Sequence, residues 1–233
     1  MKQLKAPLLL LAALAFAIAP FFATSFRGYD GTAFPVPTID PPIQPAGWAF
    51  SIWGLIYLAL IAHAAFGLFA RRDAPEWDAP RWPLILSLGL GTSWLEVAQR
   101  APVLATAQII LMLITALWAL GRATHQRDRL LLLFPLAIYA GWLTAATGVS
   151  LGVVIIGYGI ASPLLTSAAM LTLIAATAMA MQLALDRAPE YALVVIWALI
   201  GITVANLGAS LLLPAMAVIG ITLLSLAIIR VSA

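Results

Sequence analysis

The sequence predicts an all-α protein, a polytopic transmembrane helix bundle of about eight helices. Its composition is the first reason: 64% of the 233 residues are hydrophobic and 9% are charged, whereas an ordinary soluble domain has about 25% charged residues. The second reason is the length of the apolar runs, about 20 residues, which spans a hydrocarbon layer about 30 Å thick at about 1.5 Å per helical residue. Because these runs do not alternate with polar residues, they indicate helices and not the strands of a membrane barrel.

The apolar runs predict eight helices joined mostly by short loops. Their expected ranges are 7–24, 47–70, 83–100, 102–121, 130–151, 163–185, 189–208 and 211–230. The longest connection, residues 25–46, contains Pro35, Pro37, Pro41, Pro42 and Pro45. Since proline has no amide hydrogen, this density of prolines excludes a regular helix and predicts an ordered or semi-extended loop on the external side.

The distribution of basic residues predicts the orientation of the bundle. Two of the 12 Lys and Arg residues, Arg27 and Arg100, fall on one side of the eight predicted spans. The remaining ten fall on the other side, and these are Lys2, Lys5, Arg71, Arg72, Arg81, Arg122, Arg127, Arg129, Arg187 and Arg230. Such an excess marks the cytoplasmic side, so we expect both termini in the cytoplasm and the chain in a bacterial inner membrane. The start of the chain also resembles a secretory signal peptide, but we interpret it as the first membrane helix.

The fifth predicted helix carries a stripe of small residues. Gly141, Ala145, Gly148 and Gly152 follow one another at spacings of four, three and four. Residues so spaced lie on one face of a helix, and small residues let neighbouring helices approach closely in a membrane. The stripe therefore predicts a packing seam.

Motifs for catalysis are missing from the sequence. It has no nucleotide-binding glycine loop, no paired catalytic carboxylates, no zinc-type histidine spacing and no nucleophile elbow. There is no cysteine, which removes disulfides and thiolate metal sites. The basic residues form no long run that would indicate a nucleic-acid partner. We expect no enzyme activity, no metal site and no nucleic acid.

Three ionisable residues within or beside the helices are candidates for function, because such groups are costly in lipid. Glu96 and Arg100 are one helical turn apart, so we expect them to pair near the external end of the third helix. The pair is either an interfacial ion pair or the polar rim of a ligand site. His63 lies deeper, where it either hydrogen-bonds between helices or acts as the axial ligand of a metal-bearing tetrapyrrole.

Aromatic residues inside the helices are candidates for a ligand wall. Trp53 and Tyr57 are one turn apart on the second helix, and Trp142 lies well inside the fifth. Aromatic faces suit flat conjugated ligands. Ordinary helix packing explains the same residues equally well.

Two segments resemble a known family. Residues 45–57, PAGWAFSIWGLIY, follow the proline-rich loop and are similar to the start of the second helix in the TspO/MBR family of translocator proteins, the tryptophan-rich sensory proteins. Residues 134–147, FPLAIYAGWLTAAT, resemble the fifth helix of that family. The resemblance covers residues 1–155 and implies a TspO-like five-helix membrane core. Residues 156–233 then form a three-helix C-terminal extension to which the resemblance assigns no role.

The chain departs from the family pattern at three places. Trp48 and Trp53 are five residues apart where the family usually has six. Ala46 stands where a second proline usually follows Pro45, and Ser150 stands where the fifth helix usually has asparagine. The ligand site of this chain is therefore expected to differ from that of other members.

The resemblance implies a receptor or carrier that binds porphyrins, haem-like tetrapyrroles or sterols. For this chain it predicts a membrane binding protein for a tetrapyrrole or another flat hydrophobic ligand, acting in sensing or transport, with the lipid bilayer and a hydrophobic small molecule as its partners. The matching positions are Trp48, Trp53, Tyr57, Tyr139, Trp142 and Ala146, and Trp94 is added because the third helix of the family also carries aromatic residues.

Two alternatives of other classes stay open. The first is a structural subunit of a larger membrane complex, such as a photosynthetic one, or a homodimer, in which the extra helices form a docking surface. The second is a small secondary transporter, which would need broken helices and charged residues near the membrane midplane. Only His63 and Asn206 are available for that role.

Overall fold

The computed structural model describes residues 2–22, 28–37, 39–123 and 128–232, and within them the chain is an all-α bundle without β-strands. The described residues form eight long helices: α1 (Lys2–Ile18), α2 (Ile52–Phe69), α3 (Arg81–Arg100), α4 (Pro102–Arg122), α5 (Arg129–Gly157), α6 (Pro163–Ala184), α7 (Pro189–Ala205) and α8 (Leu212–Ser232). One-turn or 3₁₀ helices occur at Ala19–Phe21, Gly31–Ala33, Gly47–Ser51 and Pro75–Asp78. The predicted fold class is confirmed.

Each predicted helix is present in the predicted order, and the differences lie at the ends. The α-helical part of α1 ends at Ile18, because the chain tightens into a 3₁₀ helix around Pro20, which has no amide hydrogen. The second helix begins as the 3₁₀ segment Gly47–Ser51 and becomes α-helical only at Ile52. The fifth continues to Gly157, past the predicted end at residue 151.

Six helical segments of the described chain are long and apolar enough to cross a membrane. They correspond to α1, α2, α4, α5, α6 and α8. The 17-residue α7 is a shorter apolar helix, and α3 is not among the six segments. Both helices are nevertheless packed into the bundle, α3 between α1 and α4, and α7 against α5 and α8. The chain is therefore an integral, multi-pass membrane protein.

The first five helices form a closed ring. α1 contacts α2 and α3, α3 contacts α4, α4 contacts α5, and α5 contacts α2. The helices therefore follow one another around the ring in the order α1, α2, α5, α4, α3. α5 is the most buried of the six apolar spans, because α6 and α7 pack against it as well. α8 packs on α6 and α7.

The small-residue stripe of α5 is a packing seam, as predicted. A Cβ atom on Gly141 would lie 2.4 Å from the carbonyl oxygen of Tyr191 in α7, and one on Gly148 would lie 2.4 Å from Cγ1 of Ile174 in α6. Both distances are shorter than a van der Waals contact, so a larger residue would force the α7 backbone to shift at Gly141 and the Ile174 side chain to shift at Gly148. Helices α6 and α7 therefore pack directly against the ring, α8 packs on both of them, and the predicted domain boundary at residue 155 falls inside α5.

Basic residues tie the connections at one end of the bundle together. Lys5 Nζ lies 2.6 Å from Asp78 in the α2–α3 connection, and Arg71 Nε lies 2.7 Å from Asp128 at the start of α5. Arg129 binds the glutamate near the start of α7 with a distance of 2.9 Å. The charge count placed the N-terminus and the α2–α3, α4–α5 and α6–α7 connections on one side of the membrane, and these four segments meet at one end of the bundle. We refer to it as the basic end.

The opposite end carries the proline-rich loop and the C-terminus of α3, and we refer to it as the loop end. Arg100, which the charge count placed on this side, forms the predicted ion pair with Glu96. The loop contacts the end of α5 through the backbone, where the Val36 amide donates to the Gly157 carbonyl at 2.9 Å. Two other residues of the charge count, Arg27 and Arg127, lie outside the described residues.

Candidate functional site

Two adjoining cavities lie near the loop end of the ring. The larger, called here the α1 chamber, has a volume of about 170 Å³ and is bordered by residues of α1 to α5, among them Phe16, Trp53, Tyr57, Trp94, Met112 and Leu143. The smaller, called here the loop chamber, has a volume of about 40 Å³ and is bordered by Tyr29, Gln44, Trp142, Ala146 and Ser150, among others. Phe50, Trp94 and Ile109 border both cavities, so these three side chains form the partition between them.

The α1 chamber has an aromatic wall built on α2. Trp53 and Tyr57 are four residues apart, which places them on one helix face, and their rings stack with centroids 5.4 Å apart and an angle of 17° between planes. Phe16 of α1 meets both rings edge-on, at 5.8 Å and 5.2 Å. The predicted aromatic wall is therefore present, and Phe16 adds a third ring to it.

Trp142 connects the aromatic wall with the loop chamber. Its ring meets Trp53 edge-on at 6.0 Å and Phe50 edge-on at 5.8 Å. Its side chain is buried, and the indole nitrogen Nε1 has no hydrogen-bond partner among the described residues. By contrast, Nε1 of Trp94 donates to the carbonyl oxygen of Ala105 at 2.9 Å, which fixes the ring of Trp94 in the partition.

Hydroxyl groups cover the loop chamber from the loop end. Tyr29 Oη lies 2.6 Å from Ser150 Oγ, and Ser150 Oγ lies 2.7 Å from Thr106 Oγ1. Thr106 in turn donates to the carbonyl oxygen of Pro102 at 2.9 Å. This chain of hydrogen bonds joins the proline-rich loop to α4 and α5, and Ser150 occupies its centre.

Helix α7 holds the loop and the start of α2 in place. Asn206 Nδ2 donates to the Pro42 carbonyl at 2.8 Å, and Trp197 Nε1 donates to the Ala49 carbonyl at 2.9 Å. The backbone of Gly201 accepts a hydrogen bond from the amide of Ala46 at 3.0 Å. A C-terminal helix for which the resemblance supplies no role thus supports the part of the chain that covers the cavities.

Five of the predicted site residues border the cavities, namely Trp53, Tyr57, Trp94, Trp142 and Ala146. Two others border neither cavity. Trp48 is 42% exposed and packs edge-on against Trp197, with ring centroids 4.8 Å apart. Tyr139 is buried, packs against Phe16, and shares a hydrogen bond of 2.9 Å with Ser87.

His63 lies apart from both cavities, on the half of α2 nearer the basic end. Its Nδ1–H donates to the carbonyl oxygen of Leu131 at 2.7 Å, because a carbonyl oxygen can only accept. The imidazole stacks on Trp77, with centroids 5.0 Å apart. These contacts are those of an interhelical hydrogen bond, the first of the two predicted roles for this histidine.

The Glu96–Arg100 pair lies at the loop end of α3, as predicted. The Glu96 side chain is 51% exposed and the Arg100 side chain is 78% exposed. Neither residue borders either cavity. Glu96 instead lines a separate surface groove beside α1, together with Ile18 and Leu95. Within the described residues, no group of three or more His, Asp or Glu side chains could hold a metal ion.

Three aromatic residues of the site were not predicted: Phe16, Tyr29 and Phe50. Phe16 lies on α1, which carries no segment of the family resemblance. Phe50 lies between the two tryptophans of the resembling segment, where it could have been noticed. Tyr29 belongs to a loop with no periodic pattern, and no local signal in the sequence places it near Ser150.

The chain matches the sequence model of one protein family, and the match includes the C-terminal helices. The sequence model of the family described as TSPO-like protein matches residues 8–230. No curated protein and no solved structure matches the chain. Because the match continues past residue 155 to residue 230, in the last turn of α8, the three C-terminal helices belong to the matched region. The chain belongs to the family of TSPO-like proteins.

Proposed function

We propose that this protein binds a flat hydrophobic small molecule of the tetrapyrrole class in the two chambers and acts as a membrane receptor or carrier. Membership of the TSPO-like family indicates a general role in membrane ligand binding or transport. The observation that supports the finer proposal is the stacked pair of Trp53 and Tyr57 bordering the α1 chamber, with Trp142 packed edge-on against Trp53 and bordering the adjoining loop chamber. Conjugated rings stack favourably on such faces. The proposal assigns the chain a binding role and no reaction.

The partition between the chambers has to move for such a ligand to fit. The cavities measure about 170 Å³ and about 40 Å³, while sites for drug-sized ligands usually enclose about 300–1,000 Å³. Phe50 is the most adaptable part of the partition, because it belongs to the 3₁₀ segment Gly47–Ser51, whose hydrogen-bond geometry is poorer than that of an α-helix. We propose that the ligand displaces the Phe50 ring and joins the two chambers.

Loss of the aromatic wall should weaken binding. In lipid nanodiscs, metal-free protoporphyrin should quench the tryptophan fluorescence of the wild-type protein in a saturable titration. Trp53→Ala should raise the dissociation constant at least about fivefold, because one ring stacking interaction is worth about 0.5–1.5 kcal/mol beyond the area it buries. Trp118→Ala is the control, since Trp118 is 53% exposed and borders neither chamber.

The control variant Trp118→Ala should leave the dissociation constant of the porphyrin unchanged. Equal weakening by both variants would mean that the porphyrin dissolves in the surrounding lipid and quenches from there. Absence of saturable quenching in the wild-type protein would refute the proposed function. A protein partner that copurifies stoichiometrically in that case would favour the structural-subunit alternative.

We also propose that the basic end faces the cytoplasm, so that both termini are cytoplasmic, in a bacterial inner membrane. The support is the positive-inside rule together with the clustering of basic residues at that end. Reporters fused after Arg72, Arg129, Arg187 and Ala233 should report the cytoplasm, and one fused after Asp30 should report the opposite side. A C-terminal reporter outside the cytoplasm would contradict this orientation.

A further inference from the structure

A groove on the outer surface of the ring adjoins the α1 chamber. It lies between α1 and α3 near the loop end, has a volume of about 380 Å³, and is lined in part by Ala15, Thr92 and Glu96. Among the described residues, Ala19 and Leu95 border both the groove and the chamber. A molecule in the groove is therefore separated from the chamber by a single layer of side chains.

Apolar side chains form the wall between the groove and the chamber. Neither alanine nor leucine has a polar side-chain atom, so displacing Ala19 or Leu95 breaks no side-chain hydrogen bond. Ala19 also begins the 3₁₀ segment Ala19–Phe21, whose hydrogen-bond geometry is poorer than that of an α-helix. Pro20 within this segment has no amide hydrogen. We therefore expect this wall to yield at a small cost.

The proline-rich loop covers the other approach to the chambers, and hydrogen bonds hold it in place. Tyr29 is hydrogen-bonded to Ser150 of α5 at 2.6 Å, and the Val36 amide donates to the end of α5 at 2.9 Å. Helix α7 binds residues 42–49 through three more hydrogen bonds. Opening the loop would break several of these bonds and leave their polar groups without partners. Passage between α1 and α3 is the less costly route.

The groove lies at the depth where the hydrocarbon of the bilayer meets its headgroups. The apolar span that contains α1 covers Leu4–Phe21, so Ala15 and Ile18 lie within its last two turns at the loop end. Glu96 lines the groove and pairs with Arg100, and both side chains are more than half exposed. Because ionised side chains are costly in hydrocarbon, we expect this pair at headgroup level. A flat amphiphile with an apolar ring and a polar edge rests at the same depth.

From these observations we infer that the ligand enters the α1 chamber from the lipid, between α1 and α3, and that the groove is its first binding position. The inference rests on the proposed function and adds the source of its ligand, which is a flat amphiphile dissolved in the leaflet at the loop end and not a solute taken up from water. The Glu96–Arg100 pair is then the polar rim of a ligand site, one of the two roles predicted for it.

Reversible obstruction of the groove tests this route, and the chain suits the experiment because it has no cysteine of its own. Thr92→Cys places one thiol in the groove and leaves the chamber walls unchanged, since Thr92 borders neither chamber. Benzyl methanethiosulfonate then attaches a phenyl ring to the thiol through a disulfide, which dithiothreitol removes. Stopped-flow quenching of tryptophan fluorescence by metal-free protoporphyrin is measured in nanodiscs before labelling, after labelling and after reduction.

Labelling of Thr92→Cys should slow association of the porphyrin at least about tenfold, because the attached ring fills the route into the chamber. Dissociation should slow by the same factor, since the ligand leaves along the path by which it entered. The dissociation constant should therefore change less than about twofold. Dithiothreitol should restore both rates.

Gly89→Cys and Ala33→Cys are the matched controls. Gly89 lies about one turn from Thr92 on α3, is exposed, and does not line the groove. Ala33 is exposed on the proline-rich loop. Labelling either variant should change both rates less than about twofold, because neither thiol lies on the proposed route.

Two results would overturn the inference and leave the proposed function intact. One is unchanged rates after labelling of Thr92→Cys, and slower association after labelling of Ala33→Cys would then indicate entry from water past the loop. The other is a raised dissociation constant for labelled Thr92→Cys with an unchanged association rate, which would show that the groove belongs to the bound site and not to the route. If the unlabelled wild-type protein shows no saturable quenching, the proposed function fails and the inference fails with it.

Discussion

Gly141→Ala should destabilise the bundle by about 3 kcal/mol, the upper part of the range for overpacking a buried site. The added methyl group would lie 2.4 Å from the carbonyl oxygen of Tyr191 and 3.2 Å from its carbonyl carbon. These are backbone atoms, so no side-chain rotation relieves the clash and α7 has to move away from α5. The effect is measurable as a lower midpoint temperature of unfolding in detergent. The fraction of protein that stays in the monodisperse size-exclusion peak after heating gives this midpoint.

Gly89→Ala is the matched control for this change. Gly89 lies within α3, is exposed, and has no atom within 4 Å of an added Cβ. Since alanine is favoured over glycine in a helix by about 1 kcal/mol in water, this variant should be as stable as the wild-type protein or slightly more stable. Equal unfolding midpoints for the two alanine variants would contradict the tight α5–α7 seam.

Arg81→Met should destabilise the protein by about 3 kcal/mol, because it removes three hydrogen bonds from a charged donor to backbone carbonyls, one of them fully buried. The Arg81 side chain is almost completely buried and donates to the carbonyl oxygens of Gly67, Arg71 and Arg72 at 2.8–3.0 Å. These carbonyls lie in the last turn of α2 and just beyond it, where the helix itself provides no amide partners. The guanidinium therefore caps the C-terminus of α2.

Thermal unfolding distinguishes the loss of the cap from a general loss of positive charge. The variants to be compared are Arg81→Met, Arg81→Lys and Arg122→Met. Arg122 is exposed at the end of α4, so its replacement should change the midpoint little. Lysine has no planar fork of donors, so Arg81→Lys should restore only part of the stability. Wild-type stability of Arg81→Met would show that the three carbonyls are satisfied in another way.

Local patterns in the sequence were sufficient to predict the helices, the α5 seam and the Glu96–Arg100 pair. The helices follow from apolar length, since lipid allows few alternatives for the backbone. The seam and the ion pair follow from spacings of three or four residues on one helix. Each of these predictions depends on residues that are close in the sequence.

Which residues form the site depends on contacts between different helices, and a local sequence pattern does not predict such contacts. Phe16 meets Trp53 and Tyr57 because α1 lies beside α2 in the ring. Trp48 was placed in the site by the family resemblance, but Gly47–Ser51 is a 3₁₀ segment with about three residues per turn. Trp48 packs against Trp197 of α7 and borders neither chamber, in contrast to Trp53.

The role of the C-terminal helices also depends on long-range contacts. The sequence offers Asn206 as a candidate residue for a transporter, but its side chain donates to the carbonyl of Pro42 in the proline-rich loop. The glycine at position 201 lets the loop approach α7, where an added Cβ would lie 2.9 Å from that of Ala49. Residues more than 140 positions apart in the sequence therefore position the cover of the cavities.

An experimental structure of the protein bound to the zinc complex of protoporphyrin dimethyl ester would test the central claim most directly, because the anomalous signal of zinc locates the ligand independently of the protein. We expect one zinc position within the joined chambers, beside Trp53 and Trp142, with the Phe50 ring displaced from the partition. The main competing location is the open groove of about 390 Å³ between α6 and α8, which Ala175 and Gly220 help to line. A zinc signal in that groove, with both chambers closed around Phe50, would contradict the account.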